Sequence, residues 1–178
     1  MAKRSKRRIV LAIALVAIVA SAVAGFLFYA PSNVQLSIRD PPQSSYDPSI
    51  QAIYVTFTSI EVHRADAGND SGWQPIMKGA TVNLFTVLNV SSVLGKSTLP
   101  AGKYTELRFN VSQVIVTINN ANFTFTVTSG SFKVPILNGG FEAYGGMTVN
   151  VELDLSFKDS EIISMNGHIA PVATAKVV

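Results

Sequence analysis

The sequence predicts an all-β domain that follows a single membrane-spanning helix. Residues 9–30 are apolar and contain no charged residue. After residue 31, many segments alternate apolar and polar side chains with the period of two that is typical of strands. Turn residues recur about every eight to twelve positions. We therefore expect an antiparallel β-sandwich of the Ig-like or jelly-roll type, with one short helix, behind one N-terminal transmembrane helix.

The first domain, residues 1–30, combines a basic leader with a transmembrane signal-anchor. At about 1.5 Å per residue, the apolar run is long enough as a helix to cross a bilayer core of about 30 Å. Basic residues stay on the cytoplasmic side, so we expect a single-pass cell-membrane protein with a cytoplasmic N-terminus and an extracellular C-terminal domain. Five of the fourteen basic residues of the chain form this leader: Lys3, Arg4, Lys6, Arg7 and Arg8.

A cleaved signal peptide is the alternative for this segment. Small residues around Ala24 fit a small-x-small cleavage site. The apolar run continues past that site through Phe26–Tyr29, where an aromatic belt at the outer membrane interface is expected. This continuation favours a retained anchor.

The second domain, residues 31–178, has a composition that excludes some partners. It holds nine basic and eleven acidic residues, so it lacks the basic surplus that nucleic-acid binding requires. The chain has no cysteine and two histidines, which excludes thiol catalysis and cysteine metal sites. We expect no nucleic-acid partner and no cofactor.

The outer domain is predicted to consist mainly of strands. Asn33–Arg39 alternates cleanly until Asp40-Pro41-Pro42 ends it, because proline removes a backbone donor and restricts its predecessor. The polar stretch up to Ser49 is predicted as a loop. The other predicted segments are Ala52–His63, Trp73–Ile76, Thr81–Phe85, Lys103–Ile118, Asn122–Val127, Ser131–Ile136, Met147–Phe157, Glu161–Met165 and Ile169–Val178.

Three local signals refine this order. The apolar residues of the second strand change faces midway, which predicts a bulge near Thr58. Apolar residues at helical spacing predict one short helix over residues 85–94, which Gly95 closes. Asn119-Asn120 predicts a hairpin turn, because asparagine tolerates a positive φ.

Four N-x-S/T sequons are candidate glycosylation sites in an exported chain: Asn69, Asn89, Asn110 and Asn122. Asn69 lies in a polar turn. Asn110 and Asn122 fall within predicted strands and need outward-facing side chains. Chance matches in a chain rich in serine and threonine are the alternative interpretation.

Exposed aromatic residues are the candidate ligand contacts. Tyr46, Trp73 and Tyr144 lie in or beside predicted loops, where their rings could stack on sugars; a position in the core or at its rim is the structural alternative. Glu152 and Asp154 fall on the polar face of a strand and are interpreted as solubilising charges.

No residue set in the sequence indicates catalysis. The chain lacks a nucleophile elbow, a P-loop, a dinucleotide fingerprint and an H-E-x-x-H motif. His63 and His168 lie far apart, and His63 is expected to be an ordinary surface or edge residue. Asp66, Asn69 and Asp70 share a turn, but their spacing is not that of a calcium loop. We therefore predict no enzyme, no catalytic residue and no metal site.

Three strings in the outer domain resemble a known family. They are Ser37–Pro41 (SIRDP), Tyr54–Arg64 (YVTFTSIEVHR) followed by Gly72-Trp73, and Leu99–Val111 (LPAGKYTELRFNV). They are similar to the domain of unknown function 4382 family, over nearly all of Val34–Val178. The resemblance implies an exported β-sandwich domain of bacterial or archaeal surface proteins and brings no catalytic residues. Bacterial members often carry a lipidated cysteine; here an apolar helix takes its place, which together with the sequons suggests an archaeal version.

A non-enzymatic binding or adhesion module at the cell surface is the leading functional hypothesis. Its expected partners are the lipid bilayer, through residues 9–30, and cell-surface glycans, neighbouring surface proteins or further copies of itself. The alternative is a structural subunit of an extracellular filament: after signal cleavage, Gly25–Arg39 could add a strand to a neighbour's sheet. The same strand can instead pair within its own domain. An enzyme ranks third.

Overall fold

The computed structural model describes residues 2–40 and 46–178, with side chains from residue 6 onward. The predicted loop positions 41–45 and the Lys3 and Arg4 side chains of the leader lie outside the described residues. Helix α1 covers Ala2–Tyr29. Its 24-residue segment Lys6–Tyr29 is long and apolar enough to cross a membrane, as an anchor or as a signal sequence, and the rest of the protein does not bury it.

Strands make up most of the domain that follows, as the alternating patterns predict. A short helix, α2, covers Asp159–Ile163, and Leu84–Thr86 and Leu137–Gly139 form single 3-10 turns. In chain order the strands are β1 Ser32–Arg39, β2 Ile50–Arg64, β3 Trp73–Asn83, β4 Ser92–Leu99, β5 Gly102–Ile118, β6 Ala121–Val127, β7 Ser131–Pro135, β8 Phe141–Ala143, β9 Thr148–Phe157, β10 His168–Ile169 and β11 Pro171–Val177.

The strands form two sheets, which confirms the all-β fold class. The smaller sheet has the order β11-β9-β1-β4, and the larger has the order β10-β6-β5-β2-β3. Strand β5 pairs with four other strands of the larger sheet. One of its edges pairs with β2, and β8, β7 and β6 pair in turn along its other edge. The sheets are mixed rather than purely antiparallel, because β1 pairs with β9 and β6 with β10 in parallel.

The hydrophobic core lies between the inner faces of the two sheets. Leu36 and Ile38 of β1 and Leu153 of β9 are fully buried there, and each such side chain stabilises the fold by about 1.5–3 kcal/mol. From the larger sheet, the rings of Phe57 and Phe109 meet edge to face at 6.0 Å. The alternation that predicted these strands is therefore the alternation between core and solvent.

Two element predictions are wrong. Residues 85–94 do not form a helix: Val93 belongs to β4 and pairs with Ser37, and Gly95 lies inside that strand against the Met77 side chain. Pairing with β1 thus determines the structure of this segment, despite the helical spacing of its apolar residues.

The segment Glu161–Met165, predicted among the strands, instead begins inside α2, where the buried Ile162 faces the core.

Two turn-level predictions are confirmed. Thr58 has no partner in the ladders that β2 forms with β3 and β5, so it is the bulge where the apolar face changes. Asn119 and Asn120 have φ angles of 49° and 67° and form the β5–β6 hairpin turn. Both residues adopt the left-handed conformation that asparagine tolerates.

The connections between the sheets define two ends of the domain. The helix-side end holds the start of β1, the Leu99–Gly102 turn between β4 and β5, and the loop of residues 144–147 between β8 and β9. The far end holds the end of β1 at Arg39, the start of β2, and the β5–β6 hairpin. Helix α1 enters the domain at the helix-side end.

Candidate binding surface

The three aromatic residues predicted as ligand contacts do not come together. Tyr46 lies at the far end, stacked on Phe85 at 5.2 Å. Trp73 begins β3 near the helix-side end, and Tyr144 follows β8, with β2 and β5 between those two strands. Tyr46 is partly buried and packs against the core cluster. Trp73 and Tyr144 mark two separate surfaces.

Trp73 is the centre of a charged aromatic group on the outer face of the larger sheet. Its neighbours come from adjacent strands through the sheet register, in which His63 pairs with Trp73, Glu61 with Arg108, and Arg108 with Lys133. The Arg108 guanidinium lies 4.2 Å from the centre of the indole ring, and the Lys133 ammonium 5.3 Å from it. We call these five residues the Trp73 patch.

The polar groups of the Trp73 patch are not all paired with one another. The indole N–H donates to the backbone oxygen of Asn69 at 3.1 Å. Arg108 donates to Glu61, with 2.8 Å between Nε and Oε2. Within residues 2–40 and 46–178, no carboxylate lies within ion-pair distance of Lys133. The patch therefore carries one cation beyond its ion pair.

A comparison with known families identifies the domain that follows α1. The family model described as domain of unknown function (DUF4382) matches residues 31–169, which begin directly after α1 and end with β10. The chain belongs to this family. No curated protein and no solved structure matches the chain. The family resemblance of the three sequence strings is thus confirmed.

The histidine of the Trp73 patch is not the surface residue that the sequence predicts. His63 of the DUF4382 domain is only 6% exposed, because the turn of residues 65–72 folds over it. Its Nε2 lies 3.0 Å from the Gly68 carbonyl oxygen and therefore donates the hydrogen bond. His168 lies on β10, two strands beyond the β5–β2 pair. The two histidines do not share a site.

One carboxylate of the polar turn beside Trp73 forms an ion pair with the preceding strand. Asp66 accepts two hydrogen bonds from Arg64, at 3.0 and 2.8 Å. No group of three or more histidine, aspartate or glutamate side chains in metal-binding geometry occurs in the part of the chain that the structure describes. The turn is therefore organised by its own ion pair.

The four sequon asparagines of the DUF4382 domain differ in accessibility. Asn69, Asn89 and Asn122 are exposed. Asn110 is half-buried, and its Nδ2 donates to Ser59 Oγ at 2.7 Å. Attachment of a glycan at Asn110 would break that hydrogen bond. Glycosylation of these asparagines stays a prediction.

A charge network on the smaller sheet was missed by the sequence analysis. Glu152 is 4% exposed and is not a solubilising charge. Lys176 of β11 lies 3.0 Å from Glu152 and 2.9 Å from Asp154. Burial raises the pKa of Glu152, but the hydrogen bonds from Ser91 and Lys176 together with the charges of Lys176 and Arg39 outweigh it, so the pKa is lowered overall. The hydrogen bond to Asp154 and then that to Glu152 raise the pKa of Lys176.

A buried carboxyl group lies at the far end of the DUF4382 domain. Asp40 is fully buried, and its Oδ2 accepts a hydrogen bond from the Tyr46 hydroxyl at 2.7 Å. Its Oδ1 has no hydrogen-bond partner among the described residues. Burial raises the pKa of Asp40 to about 6, and it also raises the pKa of Tyr46. The sequence placed Asp40 at the end of the first strand, before two prolines, and did not show its burial.

Proposed function

We propose that this protein is a non-enzymatic binding module held at the outer surface of a membrane. Helix α1 spans the bilayer through residues 9–30, with the basic leader in the cytoplasm and the DUF4382 domain outside. The length and composition of α1 support the span, and the excess of basic residues before it supports the orientation.

The Trp73 patch is the proposed ligand site, and its ligand class is an acidic glycan. The observation that carries this assignment is the placement of two cations, Arg108 and Lys133, on one partly exposed indole ring. Sugar rings stack on aromatic side chains, while a carboxylate or sulfate group pairs with arginine and lysine. Glu61 pairs with Arg108, so the Lys133 ammonium is the positive charge of the patch that is left to pair with an acidic ligand.

Binding without catalysis is the simplest role for these side chains. His63, the obvious candidate for a general base, is buried and donates its Nε2 proton to a backbone carbonyl. Glu61 is held by Arg108 in an ion pair. A general base must reach the proton it abstracts, and burial of His63 and the Arg108–Glu61 ion pair limit the access of a substrate to both groups.

Strand addition to a filament receives less support than intramolecular pairing. Strand β1 lies inside its own sheet, with β4 on one edge and β9 on the other. Leu36 and Ile38, which would have to enter a neighbour, are fully buried in the core of their own domain.

Binding of a polyanionic sugar tests the proposal. We would measure binding of the full chain in detergent to dextran sulfate, with neutral dextran as the matched probe. We expect dextran sulfate alone to bind, and Lys133→Gln to weaken binding severalfold. Lys96→Gln removes an exposed charge from the other sheet and should leave binding unchanged. Equal losses in both variants, or binding of neutral dextran, would contradict a site at the Trp73 patch.

A further inference from the structure

The junction between α1 and the DUF4382 domain is very short. The helix ends at Tyr29 and β1 begins at Ser32, which leaves only Ala30 and Pro31 between them. Two residues span at most about 7 Å, and proline fixes its own φ. The Ala30 amide also donates to the Phe26 carbonyl at 3.1 Å, which extends the helical hydrogen bonding to the junction. The domain therefore cannot move far from the end of the helix.

The loop of residues 144–147 packs directly against this junction. The Ser32 hydroxyl donates to the Tyr144 carbonyl at 3.0 Å, and the Asn33 amide donates to the Met147 carbonyl at 2.9 Å. These two bonds fix both ends of the loop to the first residues of β1. The loop is thus held beside the point where the chain leaves the helix.

Two glycines bring the middle of the loop against the helix itself. Gly145 and Gly146 have φ angles of 63° and 70°. A Cβ atom on Gly145 would lie 3.1 Å from the Leu27 carbonyl oxygen, and one on Gly146 would lie 3.3 Å from the Phe26 ring. Larger residues would push the loop away from the helix. The loop consequently sits at the level of the last turn of α1.

The side chains exposed around this contact are apolar or aromatic. Phe28 and Tyr29 of the helix are 68% and 81% exposed, and Tyr144 and Met147 of the loop are 44% and 41% exposed. Tyrosine is enriched where membrane and water meet, because its ring is apolar and its hydroxyl is polar. We call these four exposed side chains at the helix-side end the apolar rim.

The charges near the rim largely neutralise each other. Lys103 and Glu142 stand opposite each other in the β5–β8 ladder. Arg64 is paired with Asp66 at 2.8 Å. An apolar rim without a local charge surplus fits the interface of a zwitterionic bilayer and does not require anionic lipids.

We propose that the loop of residues 144–147 is a second membrane contact, in which Tyr144 and Met147 insert among the headgroups and upper acyl chains of the outer leaflet. The occupant of this surface is the same bilayer that α1 crosses, because the loop is attached to the last helical turn. This inference rests on the proposed membrane anchor. The contact holds the DUF4382 domain flush with the membrane in one orientation.

The absence of cysteine from the chain makes the test direct. Single cysteines would carry an environment-sensitive fluorophore in phosphatidylcholine vesicles, with quenching by nitroxide lipids compared with quenching by aqueous iodide. Tyr144→Cys is the test position, and Met147→Cys repeats it at a second side chain. Val90→Cys, 67% exposed towards the far end, is the aqueous control. Leu15→Cys, within α1, is the membrane control.

We expect the probes at positions 144 and 147 to be quenched severalfold more by nitroxide lipid, and severalfold less by iodide, than the probe at position 90. Iodide quenching at 144 and 147 equal to that at 90, with the probe at 15 still quenched by lipid, would overturn the loop contact and leave the anchor standing. Failure of lipid quenching at position 15 would overturn both the anchor and the contact.

Discussion

The two ends of the DUF4382 domain are held together by different interactions. At the helix-side end, glycines let segments approach closely: Gly145 lies against α1, and Gly140 lies against the backbone of Tyr104. At the far end, a buried carboxylate organises the packing, since Asp40 accepts the hydrogen bond of Tyr46. The helix-side end relies on glycines that leave room for close backbone contact, whereas the far end contains a carboxyl group whose charged form is disfavoured by burial.

This difference predicts different responses to pH. Close contact between backbone segments involves no titrating group, so its contribution to stability does not change with pH. A buried carboxylate binds a proton more tightly in the folded state than in the unfolded state, so its contribution does change. Three substitutions test this contrast, and Trp73, the single tryptophan of the chain, reports unfolding by fluorescence.

Gly140→Ala should have the largest effect. Gly140 has a φ of 88°, and an added Cβ would overlap the Tyr104 carbonyl oxygen and lie 2.8 Å from its carbonyl carbon. Because the obstacle is backbone, we expect the free energy of unfolding to fall by more than about 3 kcal/mol at every pH. Urea unfolding of the full chain in detergent measures this loss.

Gly139→Ala is the matched control for that substitution. Gly139 also has a positive φ, of 78°, but an added Cβ there would meet nothing within 4 Å. Only the strain of a left-handed conformation remains, which costs about 1 kcal/mol. Equal losses at positions 139 and 140 would show that the close approach to Tyr104 contributes nothing.

Asp40→Asn should abolish a pH dependence of stability. Burial raises the pKa of Asp40 from 3.8 to about 6, so between these values the folded state holds more protons than the unfolded state. Stability therefore falls as pH rises from about 4 to about 6, by at most about 3 kcal/mol. Asparagine keeps an oxygen for Tyr46 without a charge, so the variant should lack this fall and be more stable than the natural chain at pH 7.

Urea unfolding at several pH values between 4 and 7 measures this effect. Asp70→Asn, which removes an exposed carboxylate in the turn of residues 65–72, is the control. An Asp40→Asn variant that retains the full fall between pH 4 and 6 would show that Asp40 does not cause it.

Lys176→Met should have the smallest effect of the three. It leaves Glu152 and Asp154 without the cation that lies 3.0 and 2.9 Å from them. Because Lys176 is about one-third exposed, we expect a loss of about 1–2 kcal/mol at pH 7. Because the pKa of Glu152 is lowered in the folded state, its carboxylate stabilises the natural chain above pH 4.5, and this contribution is lost as the pH falls below that value. The stabilities of the natural chain and the variant should therefore approach each other in acid.

Thermal unfolding at pH 7 and pH 3 checks this convergence. Lys96→Met, on an exposed position of β4, controls for the loss of one lysine from the same sheet. A difference between Lys176→Met and the natural chain that is as large at pH 3 as at pH 7 would mean that packing of the lysine stem, not its charge, accounts for the loss.

The sequence predicts the parts of this fold that depend on local pattern. The uninterrupted apolar run gives α1, and alternation gives β1, β2, β5 and β9 to within two residues at each end. Asparagine chemistry places the β5–β6 turn. These signals are reliable because each strand turns apolar side chains towards the core, so a period of two holds between bulges such as the one at Thr58.

The errors arise where distant contacts decide the structure. Val93 adopts a strand because Ser37, far away in sequence, pairs with it. The parallel pairing of β1 with β9 joins residues more than a hundred positions apart, and the residue pattern of neither strand indicates its partner. The α2 segment did carry a usable signal, since Asp159 and Glu161 favour the start of a helix.

The candidate site was only partly visible in the sequence. Trp73 could be singled out as the sole tryptophan, but the cations beside it come from β5 and β7, whose register fixes their position. The burial of Asp40 and Glu152 was hidden for the same reason. Composition shows which side chains are present, whereas sheet pairing determines which of them meet.

The two-residue junction after α1 limits how far the domain can extend from the end of that helix. The longest strands, β2 and β5, extend about 50–56 Å at about 3.3 Å per residue, which sets the scale of this reach. In the proposed membrane-anchored arrangement, molecules diffusing in the same bilayer meet the domain at high effective concentration. The short junction therefore suits the proposed binding module to neighbours within one membrane.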